Sequence, residues 1–199
     1  MEPFGQATLE ALAMARRLKD REALLDVLQY MRWGFAGRGT AADLRASATE
    51  LAGLAQGAAS REQALRFQLL CIADLNELGA TDEAAAALER FRAMAEEAAV
   101  PWFSWFAVRL ETLRALQDGR LGDGERLAHE ALGFAERMDH PNVRPVFRAH
   151  TLSLRLLRGR FDELVPRVRA YVAQHPAQAS SRSTLAYALA RAGDLEAAR

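Results

Sequence analysis

Glycine recurs at Gly39, Gly79, Gly119 and Gly159, one interval of 40 residues repeated along the chain. A fixed period of this length is the signature of stacked supersecondary units, each too small to bury its apolar face alone and therefore obliged to pack on its neighbours. Gly5 lies 34 residues before the first of these marks and Gly193 lies 34 after the last, so the phase extends to six glycines with a shorter interval at each end.

The residues around the marks agree with one another. "LGATDEAAAAL", "DGRLGDGERLA", "RGRFDELVPRV" and "AGDLEAAR" each end one helical stretch at glycine and begin another within a few residues. Glycine adopts the left-handed conformation that closes a helix, and Asp82, Asp123, Asp162 and Asp194 suit the beginning of the next one. First helices are predicted over Arg21 to Phe35, Arg61 to Leu78, Trp102 to Gln117, Val143 to Arg158 and Arg182 to Ala192. Second helices are predicted over Ala7 to Leu18, Ala42 to Ala55, Asp82 to Ala98, Gly124 to Met138 and Phe161 to Ala173. Apolar residues recur at helical spacing in all of them, and no strand alternation competes. The expected fold is all-α, a right-handed α-solenoid of antiparallel helix hairpins forming one domain over residues 1–199.

Twelve residues after successive marks stand Leu51, Phe91, Ala131 and Tyr171; twelve before them stand Val27, Phe67, Ala107 and Phe147. Bulky apolar residues at equivalent positions are expected to be the knobs between helices, and these are the predicted core. Gly193 to Arg199 copies a turn and the first residues of a further helix, and Phe4 to Lys19 copies the second half of an earlier unit. The expectation is a domain cut from a larger parent, with apolar surface around Leu185, Leu189 and Leu195 promoting self-association through its truncated ends.

On the segments "LNELGATDEAAAALERF", "LRLLRGRFDEL" and "ARAGDLEAAR" the chain resembles tetratricopeptide-type repeats. With its 40-residue period and loops such as "ERMDHPNV", it is similar more narrowly to the repeat region of large bacterial signalling ATPases, including maltose-activator-type transcriptional regulators with LuxR-like DNA-binding ends and their cyclase-linked relatives. That resemblance implies a regulatory binding module, with nucleotide-binding and output functions lying in other domains. Proline after the second helix, usual in the repeat pattern, is matched near Pro101, Pro141 and Pro176 but not between Gln56 and Arg61.

Composition removes several classes of function. The 26 basic and 26 acidic residues cancel, so no net field draws nucleic acid or an anionic membrane surface, and no direct nucleic-acid binding is expected. No export signal is visible, nor about 18 successive apolar residues as a membrane span needs, and the single Cys71 cannot form an intrachain disulfide. These features point to the cytoplasm.

Catalytic and cofactor motifs are sought without success. Lys19 is followed by Asp20, so no phosphate loop is present, and "HEALG" at His129 ends in Gly133 where a zinc-protease helix needs a second histidine. His129, His140, His150 and His175 have no ligand spacing. His150 falls with Val143, Phe147 and Leu154 on an apolar face and is expected to be a satisfied core histidine, and Cys71 a buried structural thiol. No enzyme activity, metal or cofactor is predicted.

Two local anomalies remain. "VPWFSWFAVR" packs Trp102, Phe103, Trp105 and Phe106 into one helical turn and a half, read either as core or as an exposed recognition patch. Arg144, Arg148, Arg155 and Arg158 share one face of a helix with Thr151, and four guanidiniums so placed suit carboxylates or phosphates. Alternatively they pair with Glu111 and Asp118, one period earlier. The candidate partner-binding residues are Arg109, Arg144, Arg148, Arg155, Trp102 and Trp105. Their expected partner is a protein or peptide segment, acidic in character, or a small effector, together with the other domains of a parent chain; the alternative is an intramolecular scaffold that spaces those domains.

Overall fold

Helices end in this chain where a residue enters the left-handed region. The computed structural model describes residues 3–35, 41–138 and 143–198, and among them runs α1 (Pro3–Leu18), α2 (Arg21–Phe35), α3 (Ala41–Gln56), α4 (Arg61–Glu77), α5 (Thr81–Ala98), α6 (Pro101–Gln117), α7 (Leu121–Met138), α8 (Val143–Leu157), α9 (Phe161–Gln174) and α10 (Ala179–Arg191). No strand occurs among the described residues, and helices adjacent in sequence pack in pairs. The expected all-helical class is found, with boundaries within about three residues of those predicted from periodicity.

Gly79, Gly119, Gly159 and Gly193 have φ of 74°, 73°, 68° and 91°. In each case the next residue donates its N–H five residues back: Ala80 to Leu75, Arg120 to Ala115, Arg160 to Arg155 and Asp194 to Leu189, at 2.8 to 3.0 Å. This is the Schellman closure, which satisfies carbonyls that the helix end leaves bare. At the first three turns the same residue opens the next helix, its carbonyl accepting from Ala84, Gly124 and Leu164. One amino acid thus closes one helix and starts another, which keeps the hairpin tight.

Two marks fall elsewhere. Gly39 lies outside the described residues, with Pro141 and His140, and Gly5 lies inside α1, so it is not a turn. The left-handed residue that closes α1 is Lys19, at φ 55°, followed by Asp20 donating to Ala15 at 3.2 Å. Ala99, 80 residues later, closes α5 at φ 54°. A second phase of turns therefore runs through the chain on residues other than glycine.

The aspartates also divide by role. Asp82, Asp123 and Asp162 sit within the first turns of α5, α7 and α9, where their charge complements the helix dipole. Side-chain caps come instead from Asp20, whose Oδ1 accepts from Ala23 N at 3.1 Å, from Ser60, whose Oγ accepts from Gln63 N at 3.1 Å, and from Asp194, whose Oδ1 accepts from Ala197 N at 3.0 Å.

The chain divides into two compact units, Met1–Ala107 and Val108–Arg199, where the sequence suggests one continuous domain. In the first, Leu51, Phe67, Phe91 and Ala107 are buried as expected and Val27 is half-buried. Phe91 meets Phe103 edge to face at 6.3 Å. Bridges also join helices one period apart: Arg16 to Glu50 between α1 and α3, Arg45 to Glu83 between α3 and α5, and Arg66 to Asp26 between α2 and α4. The last interface is drier, since Gln63 of α4 is buried and donates to Glu22 of α2 at 2.6 Å.

In the second unit, Leu164, Val168 and Ala188 form a buried cluster packed by Leu152, Leu156, Phe161, Val165, Val172 and Leu185. Ala131 is buried, and Phe147 and Tyr171 are half-buried. The expected apolar end is smaller than predicted: Leu189 is buried and Leu185 packs on that cluster, leaving Leu195 exposed. The Schellman turn at Gly193 accounts for this, because its Asp194 to Leu189 bond draws the chain back over the helix end.

Candidate functional site

Three arginines occupy positions that are apolar or buried elsewhere in the chain. Arg148 stands in the column of Leu28, Gln68 and Val108, of which Gln68 is buried. Arg155 stands in the column of Leu75, Ala115 and, in the last, shorter interval, Leu189, all buried. Arg167 stands in the column of Ser47, Ala87 and Leu127, of which Ala87 and Leu127 are buried. Where other helices pack side against side, these three long cations hold α8, α9 and α10 apart.

The result is a groove of about 640 Å³ within the second unit, lined from α8, α9 and α10. Spacing explains the lining. On α8, Arg148, Leu152 and Arg155 lie at i, i+4 and i+7 and so share a face, while the opposite side buries Val143 and Leu154 in the helix pair with α7. On α9, Leu164 and Val168 form the floor, with Arg167, Tyr171 and Gln174 beside them. Gln178, Ser181 and Thr184 complete the wall on the α10 side. No carboxylate lines the groove.

Elsewhere the charges are matched. Arg158 reaches Glu125 at 2.8 Å and the carbonyl of Leu121 at 3.5 Å, and its hydrogen bond holds the Glu125 carboxyl below the usual range. Asp118 is bound by Arg114 at 2.9 Å and Arg120 at 3.0 Å, which hold its carboxyl low. Arg158 therefore turns to α7, and the alternative pairing with Asp118 is not formed. Arg144 stands outside the lining, 4.0 Å from Glu136. By contrast, Arg148, Arg155 and Arg167 form no ion pair with a described residue; Arg155 donates only to the carbonyl of Thr151, at 3.4 Å along its own helix.

Of the sequence-predicted site residues, the groove brings together Arg148 and Arg155. Arg109 is half-buried on α6 near His150, its guanidinium pKa lowered by burial. Trp102 and Trp105 belong to the first compact unit, stacked with ring centroids 5.0 Å apart and each set edge to face with Phe106. Trp105 is 2% exposed and packs as core. Arg167, Tyr171 and the polar α10 wall are additions. Their signal was the column: arginine at a position that buries Ala87 and Leu127 is as anomalous as the face that drew attention to α8.

The remaining titratable groups serve structure. Cys71 donates its thiol to the Ala48 carbonyl at 3.4 Å, and burial, with Asp74 nearby, raises its pKa. His150 departs from the satisfied histidine expected of the sequence: its Nδ1 is buried with no hydrogen-bond partner, and burial, then the charge of Arg109, lowers its pKa to about 4. The apolar packing of α8 leaves that nitrogen nowhere to reach. Among the described residues no cluster of His, Cys, Asp or Glu is fit to hold a metal, and no helix is long and apolar enough to cross a membrane. No family model matches the chain, and no curated protein does.

Proposed function

We propose that this chain is a non-catalytic regulatory module whose groove on α8, α9 and α10 captures an acidic segment of a protein partner. In this reading the hairpins continue as a tetratricopeptide-like α-solenoid, and the module serves a bacterial signalling or transcriptional regulator in the cytoplasm. The observation that carries the reading is the convergence of Arg148, Arg155 and Arg167 on one groove without a carboxylate in its lining. Like charges gathered on a half-dry surface repel and lose hydration, and an acidic ligand relieves both, since guanidinium and carboxylate make paired, charge-assisted bonds. The apolar floor of Leu152, Leu164 and Val168 adds contact area that a fully hydrated anion does not use.

Selection of a random displayed-peptide library on the whole chain tests this. Acidic peptides with an apolar residue are expected to be enriched, and their binding is expected to weaken by about 1–3 kcal/mol in the double variant R148Q/R155Q, with the helical circular dichroism unchanged. Enrichment without acidic character, or equal binding by the double variant, overturns it.

A further inference from the structure

The groove's dimensions narrow the class of segment it takes, on the premise that it binds an acidic segment at all. Arg148 and Arg155 are seven residues apart on α8, which places them about 10 Å apart along the helix axis and within about 20° of the same direction. Leu152 lies between them on the same face, so this wall offers charge, apolar contact, charge. Arg167 joins Arg148 at one end: the equivalent pair 80 residues earlier, Gln68 and Ala87, is in direct contact, with Gln68 Nε2 3.3 Å from the Ala87 carbonyl. The groove therefore has a cationic end, an apolar middle, and a second cationic point about two helical turns away.

We infer that the occupant is an amphipathic α-helix of a partner protein, lying along α8, with two acidic residues seven apart and an apolar residue between them. A helix presents positions i, i+3 or i+4, and i+7 on one face, with the end pair about 10 Å apart, which matches the wall point for point. An extended strand covers that length in three residues, but its side chains alternate, so acids three apart face opposite ways. A polyproline helix returns acids three apart to one face at about 9 Å, yet offers no side chain between them for Leu152. Only the α-helical ligand meets both charges and the apolar floor with a single face. The hydroxyl and amide groups of Ser181 and Gln178 on the opposite wall suit the polar flank of such a helix.

The test uses the full chain and three labelled peptides of about fourteen residues. The first is stapled as a helix on its outer face, with glutamates seven apart and leucine four after the first. The second is stapled identically with the glutamates five apart, which turns one of them away from the groove. The third has the first sequence with proline at its centre in place of the staple. Fluorescence anisotropy is expected to show the first binding at least about ten-fold tighter than either control. In R155E its affinity is expected to fall, and lysine in place of the peptide's distal glutamate is expected to restore it; R155Q, measured alongside with its thermal midpoint, separates loss of charge from loss of fold. Equal binding by the proline peptide assigns the groove to an extended acidic segment and overturns the helix, leaving the acidic-segment reading intact. Displacement of the stapled peptide by equal concentrations of inorganic phosphate overturns the helix in favour of a free-anion site. Binding by none of the three, together with a library that yields no acidic peptide, overturns the acidic-segment reading as well.

Discussion

Gln68 Nε2 donates to the carbonyl of Ala87 at 3.3 Å, sealing α4 against α5, and the residues 80 positions further on, Arg148 and Arg167, line an open groove instead. Writing the sealed pair into the open site is therefore expected to close it. The double variant R148Q/R167A removes two like charges from one half-dry surface and is expected to raise stability by about 0.5–1 kcal/mol at low salt. The gain is expected to shrink as salt screens the repulsion in the parent chain. Urea midpoints at two ionic strengths measure this; a lower midpoint in the variant assigns the arginines to structural support.

The turns supply an opposite pair of outcomes. At Gly119, with φ 73°, an added Cβ meets nothing within 4 Å, so Gly119→Ala strains the backbone alone and is expected to destabilise by about 1–2 kcal/mol. Ala99 already holds φ 54°, so Ala99→Gly removes that strain and is expected to stabilise by up to about 1 kcal/mol, reduced by the greater freedom of glycine in the unfolded chain. Thermal midpoints that move in the same direction for both variants exclude conformational strain as the cause.

These turns mark the limit of what the sequence discloses. Gly79, Gly119, Gly159 and Gly193 announce themselves because glycine tolerates a left-handed backbone, whereas Lys19 and Ala99 adopt it only because the neighbouring helices leave the chain no other path. The helix ends are legible for the first reason and the second turn phase is hidden for the other. In the groove, Arg148 and Arg155 are visible from helical spacing alone. Arg144 and Arg158 share that face, but Glu136 and Glu125 draw them away, which depends on how α7 lies beside α8. Arg167 needs the comparison with Ala87 and Leu127, since on α9 by itself it reads as one more surface arginine.

Not all polar contacts between helices carry equal weight. Arg16 and Glu50 are 48% and 32% exposed, and Glu50→Gln is expected to change stability by less than about 0.5 kcal/mol. Gln63 is buried, its Oε1 accepting from Ala59 N at 3.0 Å at the start of α4 and its Nε2 donating to Glu22 at 2.6 Å. Gln63→Ala is expected to cost about 1–3 kcal/mol, because it strips an N–H partner and opens a void in the α2–α4 interface. Chemical denaturation of the two single variants compares them directly; a larger loss at Glu50 reverses this ranking.

The last expectation concerns pH. His150 has its pKa lowered from 6.5 to about 4 by burial on α8 and then by the positive charge of Arg109, and its buried Nδ1 has no acceptor or donor opposite it. Folding thus favours the neutral ring, and between those two values the unfolded chain binds the proton more readily. The stability that this preference contributes is complete above about pH 6.5, declines as pH falls, and is gone below about pH 4. His150→Leu removes the titrating group and relieves the unpartnered nitrogen, so its unfolding midpoint is expected to change less across that window than that of the parent chain. Midpoints at about pH 7, 5.5 and 4.5 decide it. Parallel curves for the two chains show that the acid sensitivity arises elsewhere, in carboxylates such as Asp118 and Glu125 whose pKa values the arginines hold low and whose contribution is lost at lower pH.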